Sequence, residues 1–181
     1  MSAAAAAANG QSWHYSTNTE TAVTWATPRS LYLALDAEFR FDVDVAADPS
    51  TAQHVRYFTK DTDALAQPWR GLSVFCNPPY GRQLDRWVRK AALETRELGC
   101  PLAVLVLPAR TGNKWFHRYV KREAEIRFIE GRLGFVLPGG VQGRKNSAKF
   151  DSMVCVYRAD RRGAGTIADQ LLFPFLRRVV Q

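Results

Sequence analysis

Residues 72–107 read LSVFCNPPYGRQLDRWVRKAALETRELGCPLAVLVL, and this stretch decides the fold. Leu72 to Cys76 is a short apolar run of strand length that passes straight into Asn77-Pro78-Pro79-Tyr80-Gly81. Leu84, Trp87, Val88 and Ala91 then fall at i, i+3, i+4 and i+7, the apolar stripe of an amphipathic helix that Gly99 closes. Leu102 to Leu107 is continuously apolar, as in a parallel strand buried on both faces, and Pro108 ends it. Strand, helix and strand in succession predict an α/β fold with a mostly parallel central sheet flanked by helices.

Working outward, Thr27-Pro28 reads as an N-cap and first helical position, with Leu31, Ala34 and Leu35 at helical spacing behind it. A short helix over 28–38 is expected. Phe41, Val43 and Val45 alternate with Asp42 and Asp44, a strand with acids on one face that Ala46-Ala47-Asp48-Pro49 breaks. Residues 50–70 carry no clear period, and Gln67 to Gly71 is a connector. Beyond Pro108 a helix is expected over 114–122, then strands at Ile126–Ile129 and Met153–Tyr157, with a Gly/Lys/Arg-rich loop from Pro138 to Lys149 between them. Residues 1–20 are an alanine-rich, then polar tail expected to lack order. The folded domain is placed at 21–158. Residues 159–181 read as a basic C-terminal segment with an amphipathic helix through Ile167, Leu171, Leu172 and Leu176.

The chain has 181 residues, 46% of them hydrophobic and 23% charged, enough for one ordinary globular domain without staples. No apolar run approaches the ~20 residues that span a bilayer, so no membrane partner is expected. The start, MSAAAAAANG, lacks the positive n-region and Leu-rich core of a signal peptide. Cys76, Cys100 and Cys155 are far apart, as are His14, His54 and His117, so neither a disulfide framework nor a metal cluster is expected. A reducing, cytoplasmic compartment fits buried thiols. The 25 Lys+Arg against 17 Asp+Glu leave +8, which points to an anionic partner such as nucleic acid.

In open α/β sheets ligands bind beyond the carboxyl ends of the strands. Here those places are Asp44 to Asp48, Asn77 to Tyr80, Pro108 to Lys114, and the turn from Gly131 to Phe135. Asn77 to Tyr80 carries the most chemistry. Two consecutive prolines fix φ and remove two N–H donors, leaving carbonyls that only accept. Asn77 adds a side-chain acceptor and Tyr80 a flat aromatic face, a set suited to an amine on a planar ring. The same tetrapeptide is also good turn chemistry between strand and helix.

Asn77-Pro78-Pro79-Tyr80 resembles the catalytic motif of S-adenosylmethionine-dependent amino methyltransferases. Five further stretches resemble the phage-type DNA N6-adenine methyltransferase family. They are Phe41 to Ala47, Arg56 to Thr59, Leu105 to Thr111, Lys114 to His117 and Ala124 to Leu133. The blocks occur in the family's order over residues 24–158, with both ends of the chain outside them. The resemblance implies a Rossmann-like methyltransferase domain, S-adenosyl-L-methionine as cofactor and methyl transfer to adenine N6, in a cytoplasmic protein of a bacterial host or phage. Asn77 and the Pro78 carbonyl would accept from the amine, Pro79 would stiffen the turn, and Tyr80 would stack on the base. Thr27 and Pro28 would help hold the methionine part of the cofactor; Asp44, Ala46 and Ala47 would line the cofactor-binding strand end. Asp63 would reach the cofactor adenine, and Asp48 or Asp61 the ribose hydroxyls. Asp44-Val-Ala-Ala-Asp48 stands where many methyltransferases carry a Gly-rich F-x-G-x-G.

A duplex substrate would have its target base flipped out. Arg110, Lys114, Arg132, Arg144, Lys145 and Lys149 fall in loops near the strand-end face, the expected phosphate footprint, and Phe135 is a candidate for stacking on the flipped base. One helix alone separates Tyr80 from the next strand, leaving no room for an inserted recognition domain. Target choice would then rest on Pro138 to Lys149 and the segment 11–26. Two alternatives stay open: the same chemistry on RNA or a protein glutamine, and a non-catalytic nucleic-acid-binding module. A zinc deaminase needs H-x-E and P-C-x-x-C, and a P-loop needs G-x-x-x-x-G-K-[ST]; none occurs.

Overall fold

The computed structural model describes residues 26–135 and 150–167. The alanine-rich tail lies outside them, as do Arg144, Lys145 and Lys149 in their loop and Leu171, Leu172 and Leu176 of the expected C-terminal helix. The elements in order are α1 (Arg29–Phe39), β1 (Val43–Asp44), β2 (Ser73–Cys76), α2 (Leu84–Arg96), β3 (Leu102–Pro108), a π-helical turn (Phe116–Val120), β4 (Glu125–Phe128) and β5 (Ser152–Arg158). Among the described residues, no helix is long and apolar enough to cross a membrane.

The strands form one sheet in the order β1-β2-β3-β5-β4. β1, β2 and β3 pair in parallel, β5 runs antiparallel to β3, and β4 antiparallel to β5. Four strands therefore share one direction, as a mostly parallel sheet requires. Alternation sends Val74, Cys76, Ala103 and Leu105 to one face and Phe75, Leu102, Val104 and Val106 to the other. α2 covers the first face with Leu84, Trp87, Val88 and Ala91, beside Trp115, Phe116 and Val120 of the π-helical segment. α1 covers the second with Leu31, Tyr32, Leu35 and Phe39. Helices on both faces of such a sheet make a Rossmann-like fold.

Several boundaries differ from those the sequence suggests. Pro28 is the N-cap of α1, without a side-chain cap, and its carbonyl accepts the Tyr32 N–H at 3.1 Å. The strand expected over Phe41–Val45 is reduced to two residues. Asp44 does not join an exposed acidic face; it is buried, because residues 56–58 run beside it. The Asp44 N–H donates to the Arg56 carbonyl at 3.0 Å and the Phe58 N–H to the Asp44 carbonyl at 2.8 Å. The helix expected over 114–122 widens into a π-helical turn, with the Lys121 N–H reaching the Phe116 carbonyl at 2.9 Å. Ile167 is not helical: it forms a bridge with Ile126 at the free edge of β4. Gly99 does close α2 as expected, at φ 83, a conformation that L side chains rarely adopt.

Candidate active site

Parallel register brings the ends of β1, β2 and β3 to one edge of the sheet: Asp44 lies opposite Phe75, and Cys76 opposite Leu105. Asn77 leaves β2 at this edge half-buried, with its side-chain oxygen buried. Pro78 is buried and Pro79 exposed. The Pro79 carbonyl accepts the Gly81 N–H at 3.0 Å; among the described residues the Pro78 carbonyl takes no backbone hydrogen bond. The acceptor next to Asn77 is thus not used in the turn's own backbone bonding.

Tyr80 turns back over the sheet, and its hydroxyl donates to the Val106 carbonyl in β3 at 3.1 Å. Burial holds this phenol well above its ordinary pKa, so it stays protonated and keeps donating. Phe150 and Phe135 meet its ring at steep angles, with centroids 5.4 and 6.1 Å away. Phe135 is 3% exposed and packs against the Tyr80 ring. The Arg110 guanidinium lies 5.3 Å from the Phe150 ring centre, and partial burial pulls its pKa down. Lys114 and Arg132 are exposed. Phe150 is the residue here that the sequence reading missed; it follows a loop with no period.

The expected cofactor residues separate into three groups. Thr27 lines a cleft of about 490 Å³ whose walls are Ala26, Arg29 and Ser50 to Val55. Its size is that of a small-molecule site. Asp44 does not face this cleft but shapes it, because its carboxylate accepts the Ala46 N–H at 3.2 Å and the Gln53 N–H at 3.1 Å. Burial raises the pKa of that carboxyl against the opposing pull of these two bonds. Gln53 in turn donates to the Thr27 carbonyl at 2.9 Å and accepts from Arg29, tying the end of β1 to the start of α1. No sequence signal marked Gln53. Ala46 is half-buried and Ala47 buried.

The other acids serve turns. Asp48 accepts the Ser50 N–H at 2.9 Å and the Ser50 hydroxyl at 2.6 Å. Asp63, exposed at φ 41, accepts the Leu65 N–H at 3.1 Å. Asp61 is exposed in the adjoining turn. Among the described residues no His/Cys/Asp/Glu cluster could hold a metal ion.

In comparison with known families, the model of a family described as DNA N-6-adenine-methyltransferase (Dam) matches residues 14–170. No curated protein matches the chain.

Proposed function

The chain belongs to the DNA N-6-adenine-methyltransferase (Dam) family, and from that membership we propose that it moves a methyl group from S-adenosylmethionine to N6 of a flipped adenine at a short target in DNA. The observation that carries this reading is the turn Asn77 to Tyr80 at the carboxyl end of β2, with a buried amide oxygen and an anchored aromatic ring.

Adenine N6 is a weak nucleophile because its lone pair is delocalised into the ring. The Asn77 side-chain oxygen and the Pro78 carbonyl accept the two amine hydrogens. They favour the pyramidal, partly positive nitrogen that develops during attack, which is stabilisation placed where charge appears. Pro79 restricts the turn, and the Tyr80 ring holds the base in plane. Phe135 and Phe150 keep that ring in place. Arg110, Lys114 and Arg132 contact phosphates, and Arg144, Lys145 and Lys149 add to the same footprint.

The cleft beside Thr27 fits the amino-acid end of the cofactor, with mixed polar and apolar walls and the Arg29 guanidinium held by Gln53. Thr27, Pro28, Ala46 and Ala47 would hold that group, Asp44 fixes the loop around it, and Asp48 and Asp63 would meet its nucleoside. When bound, the cofactor supplies an electrophilic methyl on a sulfonium. The chain's part is to aim the amine at it and to exclude competing acceptors.

The test offers DNA, RNA and protein as acceptors for a tritiated methyl group and analyses the labelled product. N6-methyladenine from DNA alone is the expected result. Label in RNA or in protein glutamine moves the same turn to another acceptor, and cofactor binding without any transfer removes the catalytic reading.

A further inference from the structure

The two helical layers of this molecule carry very different charge. Residues 82–96 hold five basic side chains against two acidic ones, and residues 114–122 hold four against none. α1, on the opposite face of the sheet, has one arginine against Asp36 and Glu38. The basic layer is also ordered. Arg86 and Arg89 are exposed on the outer face of α2, and Arg82 is exposed in the turn that leads into it. Lys114, Arg118 and Lys121 are exposed along the segment that packs beside it. Both segments start at the carboxyl end of a parallel strand, so Arg82 and Lys114 flank the edge where Asn77 sits.

Ion pairing sharpens this pattern. At the far end of α2, Lys90 pairs with Glu94 at 2.7 Å, Arg96 with Glu97 at 2.6 Å and with Glu123 at 3.5 Å, and Arg161 with Glu123 at 2.8 Å. Among the described residues no carboxylate lies within ion-pair distance of the six residues of the two rows. The one exposed acid among them is Asp85. On α2 the ion pairs gather at the end far from the turn, and the arginines at its start carry none.

We propose that the outer face of α2 and the adjoining 114–121 segment form the track on which the DNA backbone lies, running from the catalytic turn over this layer and not over α1. The inference rests on the methyltransferase reading and adds where the duplex goes. Arg86 and Arg89 lie about 4.5 Å apart along the α2 axis, with Arg82 in the turn that leads into it, so the three can meet successive phosphates of one strand. Lys114, Arg118 and Lys121 are available to the flanking strand.

The test is the salt dependence of binding to a fluorescent unmethylated duplex, for the parent chain and for the combined variant Arg82→Gln, Arg86→Gln, Arg89→Gln. Losing three contacts makes the slope of log affinity against log salt shallower by about 2.7 and weakens binding at every salt concentration. The matching triple lysine variant keeps the slope, since it keeps the charge. Arg161→Gln with Arg162→Gln, on paired residues, leaves it unchanged. Calorimetry of cofactor binding checks that each variant is folded, and the three single glutamine variants replace the triple if it is not. An unchanged slope and affinity in the glutamine variants, with the parent binding and methylating DNA, overturns the track and leaves the catalytic reading standing. A reduced slope in a chain that transfers no methyl group does the reverse. A parent that binds no duplex overturns the track as well.

Discussion

Tyr80 serves the turn in two separable ways, through its ring and through its hydroxyl bond to the Val106 carbonyl. Tyr80→Phe keeps the ring and loses the anchor, about 1 kcal/mol of positioning. We expect a methyl-transfer rate lowered about fivefold, with duplex affinity unchanged; Tyr80→Ala should lose far more. Equal losses in both would show that the ring contributes nothing of its own. Asp44 gives a second test, because its carboxylate accepts two N–H groups and an amide cannot. Asp44→Asn turns a donor toward one of them, which costs about 1–3 kcal/mol. The loosened loop should raise the cofactor KM more than it lowers kcat; a pure kcat effect would argue against this role. At this scale the sequence was informative where chemistry is concentrated in adjacent residues. Asn77 to Tyr80 stands out because four neighbours concentrate acceptors and an aromatic ring at one strand end. Gln53 could not, because its partners Thr27, Arg29 and Asp44 come from separate segments.

Among the elements, α2 was the most legible, since Leu84, Trp87, Val88 and Ala91 face the sheet at helical spacing. Its attachment to the connector before β2 was not. Trp69 is fully buried, its backbone N–H donates to the Glu94 carboxylate at 3.2 Å, and its indole N–H donates to the Ala64 carbonyl at 3.0 Å. Lys90 completes the group, pairing with Glu94 and lying 5.1 Å from the Trp69 ring centre. A residue with no periodic context thus joins the core through polar bonds, which no hydrophobic pattern records. Glu94→Ala strands the Trp69 N–H and the Lys90 ammonium, and should destabilise the chain by on the order of 3 kcal/mol in urea unfolding. A change below 0.5 kcal/mol, the usual range for surface substitutions, would mean the group is incidental. The shortened β1 has a similar origin: residues 56–58 pair with it from a stretch that carries no strand period.

For the molecule as a whole, the sheet order was beyond the sequence, although the mostly parallel sheet and its flanking helices were not. Pairing of β5 between β3 and β4 depends on contacts between distant segments. The buried core also sets how stability responds to alkali. Burial pushes the Cys100 thiol up to about 12 from its ordinary 9.0. The unfolded chain releases that proton near pH 9 while the folded chain holds it. The contribution is therefore fully present below pH 9 and is lost as the pH rises toward 12. The urea midpoint should fall across that window, and less steeply in Cys100→Ser. Identical pH profiles for the two chains would refute the assignment.

The central claim is that the turn from Asn77 to Tyr80 transfers a methyl group to adenine N6. Its most direct test is single-turnover transfer from tritiated S-adenosylmethionine to unmethylated DNA, with the parent chain and Asn77→Ala compared at saturating cofactor. Removing one aimed acceptor should slow transfer about 10²–10³-fold while cofactor binding is retained. N6-methyladenine formed at the parent's rate by Asn77→Ala would contradict the account.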